Sequence, residues 1–96
     1  MSDKKLYKQK KQAQLDELRA DVDKIKAKAS EASADAQLKM NEQIRVLESK
    51  IEDGKFKLSQ LAETSDDMWE SSKDNVDATW DALKSAVNDA AAKLKK

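Results

Sequence analysis

A chain of 96 residues with no proline and a single glycine, Gly54, has almost nothing from which to build tight turns or hairpins. An all-β or α/β fold is therefore not expected. The spacing of the apolar residues points to helix instead. Leu15, Leu18, Val22, Ile25, Ala29, Ala32 and Ala36 follow one another at steps of three and four, the a/d pattern of a helix with one apolar face. The steps then lengthen to four and four through Met40 to Ile44, an eleven-residue unit that locally unwinds a left-handed supercoil. The stripe continues through Leu47, Ile51, Gly54, Leu58 and Leu61. The length allows one domain.

These patterns predict a basic N-terminal segment over 1–12, a long amphipathic helix over 13–62, a turn at 63–65 and a second helix over 66–95. Gly54 lies on the stripe, which reads as a close-packing position; the alternative is that it ends one helix before Phe56 opens the next. Thr64 or Ser65 can cap the last helix. Asp66, Asp67 and Glu70 complement the positive end of its dipole, and Lys93, Lys95 and Lys96 the negative end. This helix repeats every eleven residues: Trp69 to Val76 aligns with Trp80 to Val87, and in a third, partial copy Leu94 and Lys95 match Leu83 and Lys84. Trp69, Val76, Trp80, Leu83, Val87, Ala91 and Leu94 then share a stripe about 80° wide.

The expected architecture is all-α, an antiparallel helical hairpin or coiled coil with one long and one shorter helix. Folded at 63–65, it sets Leu47, Ile51, Gly54, Leu58 and Leu61 against Trp69, Val76, Trp80, Leu83 and Val87, with Gly54 making room for the second indole. Residues 6–35 then have no partner within the chain. Their seam of Leu15, Leu18, Val22, Ile25, Ala29 and Ala32 would face water, which predicts pairing with a second copy, most simply as a two-fold dimer. The alternative is a three-helix bundle with another turn near Ser30–Asp35. It is disfavoured because KASEASADA holds neither Gly nor Pro.

Without His or Cys the chain has no Ser-His-Asp triad, cysteine nucleophile, zinc site or disulfide. Ser71, Ser72 and Lys73, or Lys84 and Ser85, hold the atoms of a Ser-Lys pair, but a narrow helix pair offers no pocket for one. No catalytic residue, cofactor, metal or small-molecule substrate is expected. Asp66, Asp67, Glu70 and Asp74 read as dipole complements rather than calcium ligands. Trp69 and Trp80 read as core side chains in preference to membrane anchors or a ligand platform. Lys4, Lys5, Lys8, Lys10 and Lys11 outweigh Asp3 and suit phosphates or anionic lipid. The preferred reading is a solubilising N-terminus, and nucleic acid is not an expected partner. No apolar run approaches the ~20 residues of a membrane span, and no signal-peptide or lipidation pattern precedes the first helix. The cytoplasm is the expected compartment.

The segment DDMWESSKDNVDATWDALKSAV resembles the C-terminal helix of small bacterial coiled-coil stress-response proteins, in which AWEDLK…AWDDLK is a common pattern. KIKAKASEASADAQLKMNEQIRVLESKIE is similar to their first helix. Here Met68 stands where Ala is usual, and Ser71-Ser72 replaces a more helical pair. The resemblance implies a bacterial, cytoplasmic, non-enzymatic protein with a stress-linked role. The expected function is thus a self-associating coiled-coil protein. The alternative comes from the eleven-residue repeat, which also resembles the helices of apolipoproteins and late-embryogenesis proteins. It implies a lipid-surface or protective helix with an anionic membrane as partner.

Overall fold

The computed structural model describes residues 3–94, the side chain of Leu94 excepted. The expected roles of Lys95, Lys96 and the Leu94 side chain lie outside the described residues. Within them the chain forms three α-helices, α1 (Asp3–Ala29), α2 (Ala34–Ala62) and α3 (Asp66–Leu94). Lys4 reaches Asp66, while Arg19 and Lys26 reach Glu52 and Glu48. Helices α1 and α3 are therefore parallel, and α2 runs against both. The bundle measures 51 × 17 × 17 Å.

The expected 13–62 helix is thus two helices, and the three-helix bundle replaces the unequal hairpin. The break needs neither Gly nor Pro. Helix α1 ends as the N–H groups of Glu31 and Ala32 bond to the carbonyls of Lys28 and Ala29, and the Ser30 hydroxyl donates to the Ala27 carbonyl at 2.7 Å. Ser33 is extended (φ −63°, ψ 161°) and accepts from the Ala36 N–H through its side chain, an N-cap for α2. The Gln37 side-chain amide reaches back to the carbonyls of Ala32 (2.8 Å) and Ser30 (3.2 Å). Lys26 and Lys28 in the last turn of α1 and Asp35 in the first turn of α2 suit the two dipoles. Local polar groups make the turn feasible; packing makes it favourable, because the fold-back removes the Leu15–Ala29 seam from water.

That seam is the second correction. Leu15, Leu18, Val22, Ile25 and Ala29, expected to await a second copy, are buried in the core of their own chain, and Ala32 sits half-buried in the turn. They share the core with Met40, Ile44, Leu47, Ile51, Leu58 and Leu61 of α2 and Val76, Trp80, Leu83, Val87 and Ala90 of α3. The third correction concerns 1–12: from Asp3 onward it belongs to α1.

Gly54 stands where all three helices meet. A Cβ there would lie 3.3 Å from Cη2 and Cζ3 of Trp80 and 3.6 Å from Cδ1 of Leu15. Gly54→Ala is expected to be near neutral, as about 1 kcal/mol of helix propensity is offset by crowding of the indole. Gly54→Val has no such balance and should lose about 1–3 kcal/mol through overpacking. Urea unfolding of the two variants checks this; a valine variant as stable as the parent would mean that the indole can move aside.

Candidate functional site

Chemistry-bearing side chains gather on the face shared by α1 and α3. The apolar stripe of α1 continues upstream of Leu15 as Lys11, Tyr7 and Lys4, still at steps of three and four. These amphipathic side chains lay their apolar parts on the core and keep a polar end for α3. Tyr7 meets the half-buried Trp69 edge to face, with ring centroids 5.4 Å apart. Lys4 lies over the Trp69 ring at 5.7 Å and forms an ion pair with Asp66 at 3.1 Å. Trp80 is fully buried, and its indole N–H donates to the Lys11 carbonyl at 3.0 Å.

Asp77 holds this end together. One of its oxygens accepts from the Tyr7 hydroxyl and from Lys11 Nζ, the latter at 2.9 Å. Lys11 and Lys73 also lie over the Tyr7 ring, at 5.4 and 5.8 Å. Desolvation pushes the Asp77 carboxyl up, but the hydrogen bonds from Tyr7 and Lys11 and the charges of Lys11 and Lys73 together outweigh it, so its pKa is lowered from 3.8. Burial is the main cause of the opposite shift at Tyr7, reinforced by its bond to Asp77 and by the charges of Asp77 and Asp74, which raise its pKa from 10.0.

The two shifts set the pH window. A lowered carboxylate pKa contributes stability above pH 3.8 that is lost as the pH falls through the folded value. A raised phenol pKa contributes stability below pH 10.0 that is lost as the pH rises through the folded value. Tyr7 is the single tyrosine, so phenolate absorbance reports this site alone. Its midpoint is expected above pH 10.0, and Asp77→Asn should bring it down. A midpoint at the free-tyrosine value would show that Tyr7 does not dock on α3.

The basic cluster is therefore divided. Lys4 and Lys11 are engaged with Asp66 and Asp77, while Lys5, Lys8 and Lys10 are exposed. Acidic residues of α3 draw basic residues of α1 onto the bundle. Among the helix-packing candidates, Leu47, Ile51, Leu58, Leu61, Val76, Trp80, Leu83 and Val87 lie in one core, Gly54 touches Trp80, and Trp69 packs on its edge. Sequence reading placed Lys11 in the basic cluster and did not bring it together with Tyr7 and Asp77. Their signal was the continuation of the α1 stripe in non-aliphatic residues. Of the two cap candidates Ser65 directly precedes α3 and its carbonyl accepts from the Met68 N–H, while the Thr64 hydroxyl donates to the Gln60 carbonyl at 3.0 Å.

Beyond Lys11 the α1/α3 face opens into a groove. Two hollows of about 620 and 390 Å³ share Asp21, Lys24 and Asn88 and so run into one another. Leu18 and Trp80 floor the first, and Ile25, Val87 and Ala91 the second. Glu17, Asp21, Lys24, Lys28, Asp81 and Lys84 line the sides. Elsewhere Leu6, Leu38, Val46, Phe56 and Met68 are exposed, yet Leu38 and Phe56 stand about 27 Å apart along α2 at 1.5 Å per residue and form no single patch. Among the described residues no group of His, Cys, Asp and Glu could hold a metal ion, and no helix is long and apolar enough to cross a membrane. No protein-family model, curated protein or solved structure matches the chain.

Proposed function

We propose that this chain is a non-enzymatic helical interaction protein that associates with itself, now through an outer face of the bundle rather than through the apolar seam. The observation that carries the reading is the α1/α3 groove, with Leu18, Trp80, Ile25 and Val87 in its floor and six charged side chains on its walls. A stress-linked role in the bacterial cytoplasm is proposed from the resemblance of the Trp69–Val87 helix. The lipid-surface alternative is less well supported. Trp80 is buried without lipid, and two of the basic side chains it would use are paired with α3.

Light scattering coupled to size exclusion tests the reading. The mass should rise above the 10.8 kDa of one chain as concentration increases. A constant 10.8 kDa at every concentration would overturn it. Addition of anionic vesicles is expected to leave Trp emission unchanged; a blue shift with a gain of helix would favour the lipid reading instead.

A further inference from the structure

We propose that two copies of this chain join groove to groove, related by a two-fold axis that sets their α1 helices antiparallel. The proposal rests on the self-association reading and adds the face and the register. The flank of α1 toward α2 is bridged by two cross-helix ion pairs, Arg19–Glu52 and Lys26–Glu48, which leave a smaller hollow of about 340 Å³ between them. The flank toward α3 is closed only near its start, by Lys4–Asp66 and Lys11–Asp77. Past Lys11, six charged side chains line the groove, and none forms an ion pair among the described residues.

Their order along the groove is what selects the occupant. On α1 the carboxylates Glu17 and Asp21 precede the amines Lys24 and Lys28; on the parallel α3, Asp81 precedes Lys84. Along α1 the charge thus reverses once, from acidic to basic, while Lys84 of α3 stands level with Leu18, between Glu17 and Asp21. A second copy laid alongside in parallel meets like charge with like. Turned by a two-fold axis, it sets Glu17 opposite Lys28 of the second copy and Asp21 opposite Lys24, twice over by symmetry. The 4-3-4 spacing of these residues keeps them on one strip of α1 about 16 Å long. Exposed Ala13, Ala20 and Ala27 on the adjoining strip let the second helix come close. An anionic amphiphile would suit the lysine end but would lay its apolar chain against Glu17, Asp21 and Asp81.

A standard interface takes about 800 Å² from each partner, roughly an eighth of the 6613 Å² surface of this chain. The narrow floor and solvated walls make the dimer a weak and salt-sensitive one. Sedimentation at low ionic strength tests it with two charge reversals at exposed or half-exposed helical positions, their folding checked by circular dichroism. The parent chain should dimerise with increasing concentration and lose the dimer with salt. K24E/K28E and E17K/D21K should each be at least tenfold weaker in self-association, and an equimolar mixture of the two should form a one-to-one complex. Dimerisation of K24E/K28E at parental strength would overturn the groove while leaving self-association standing, and so would a mixture that stays monomeric. A parent that is monomeric throughout removes both. A monomeric parent whose Lys24 and Lys28 resonances shift with dodecanoate would assign the groove to an amphiphile instead.

Discussion

Trp80→Ala is expected to remove a large share of the stability of the bundle. Trp80 is 3% exposed and lies where the three helices converge, against Gly54 of α2, with its indole N–H on the Lys11 carbonyl of α1. Truncating a buried tryptophan loses about 3–5 kcal/mol, because the hollow left behind collapses only in part. A chain of this length has about 5–14 kcal/mol in total. The loss should lower Tm by about 15–30 °C. Here the hollow opens beside a glycine, which has no side chain to move into it. Trp80→Phe keeps much of the ring but not the donor, and should lose less. Trp69→Ala, at the half-buried edge, should also lose less, and its main effect should fall on the docking of Tyr7 and Lys4. Thermal unfolding of the three variants gives the order. A Trp80→Ala chain that melts with the parent would mean that the indole does not occupy the core.

The same residues show what the sequence made legible. Helix α3 begins at Asp66, where the acidic cluster points, because caps and dipole partners act within one turn and leave a local trace. Gly54 beside Trp80 was legible because the apolar stripes fix the register of α2 on α3 whether or not a third helix is present. The turn at Ser30–Ser33 was legible only as the disfavoured alternative, a break near Ser30–Asp35 in a three-helix bundle. Its polar groups, Ser30, Ser33 and Gln37, resemble an ordinary solvated helix face, and what decides between continuing and folding back is the burial of Leu15 to Ala29 against residues far along the chain. The altered step from Ala36 through Met40 to Ile44 does not mark the break, for it lies inside α2. The polar half of the α1/α3 face was hidden for a related reason. Periodicity counts aliphatic residues, and Lys4, Tyr7 and Lys11 occupy stripe positions with side chains that are apolar only in part. The groove charges were visible one by one, but that those of α1 share a face with α3 appears only once the two helices are known to pack in parallel.

Ile25→Asp separates the two architectures most sharply. In an unequal hairpin, Ile25 sits on a free arm, so a carboxylate there would improve solubility and abolish only the dimer, leaving α2 and α3 paired and the melting point of the monomer unchanged. In the bundle, Ile25 is 3% exposed among the apolar residues of its own chain. Removing its side chain alone loses about 2–5 kcal/mol. Asp adds a carboxyl group whose nearest cations, Lys24 and Lys28, stand at the groove walls above it, and it must either stay charged in an apolar site or take up a proton at a raised pKa. The two terms together approach the whole stability of a chain this size, so the variant should be unfolded, or a loose helical ensemble, at neutral pH. It should regain order as the pH falls and the new carboxyl is neutralised, until the Asp77 contacts begin to be lost. The Tyr7 phenol should titrate as a free tyrosine in this variant, since α1 no longer docks on α3. Far-ultraviolet circular dichroism and phenolate absorbance at neutral and alkaline pH read both effects. A folded, monomeric Ile25→Asp chain with an unchanged melting point would mean that α1 does not pack on α2 and α3 at all.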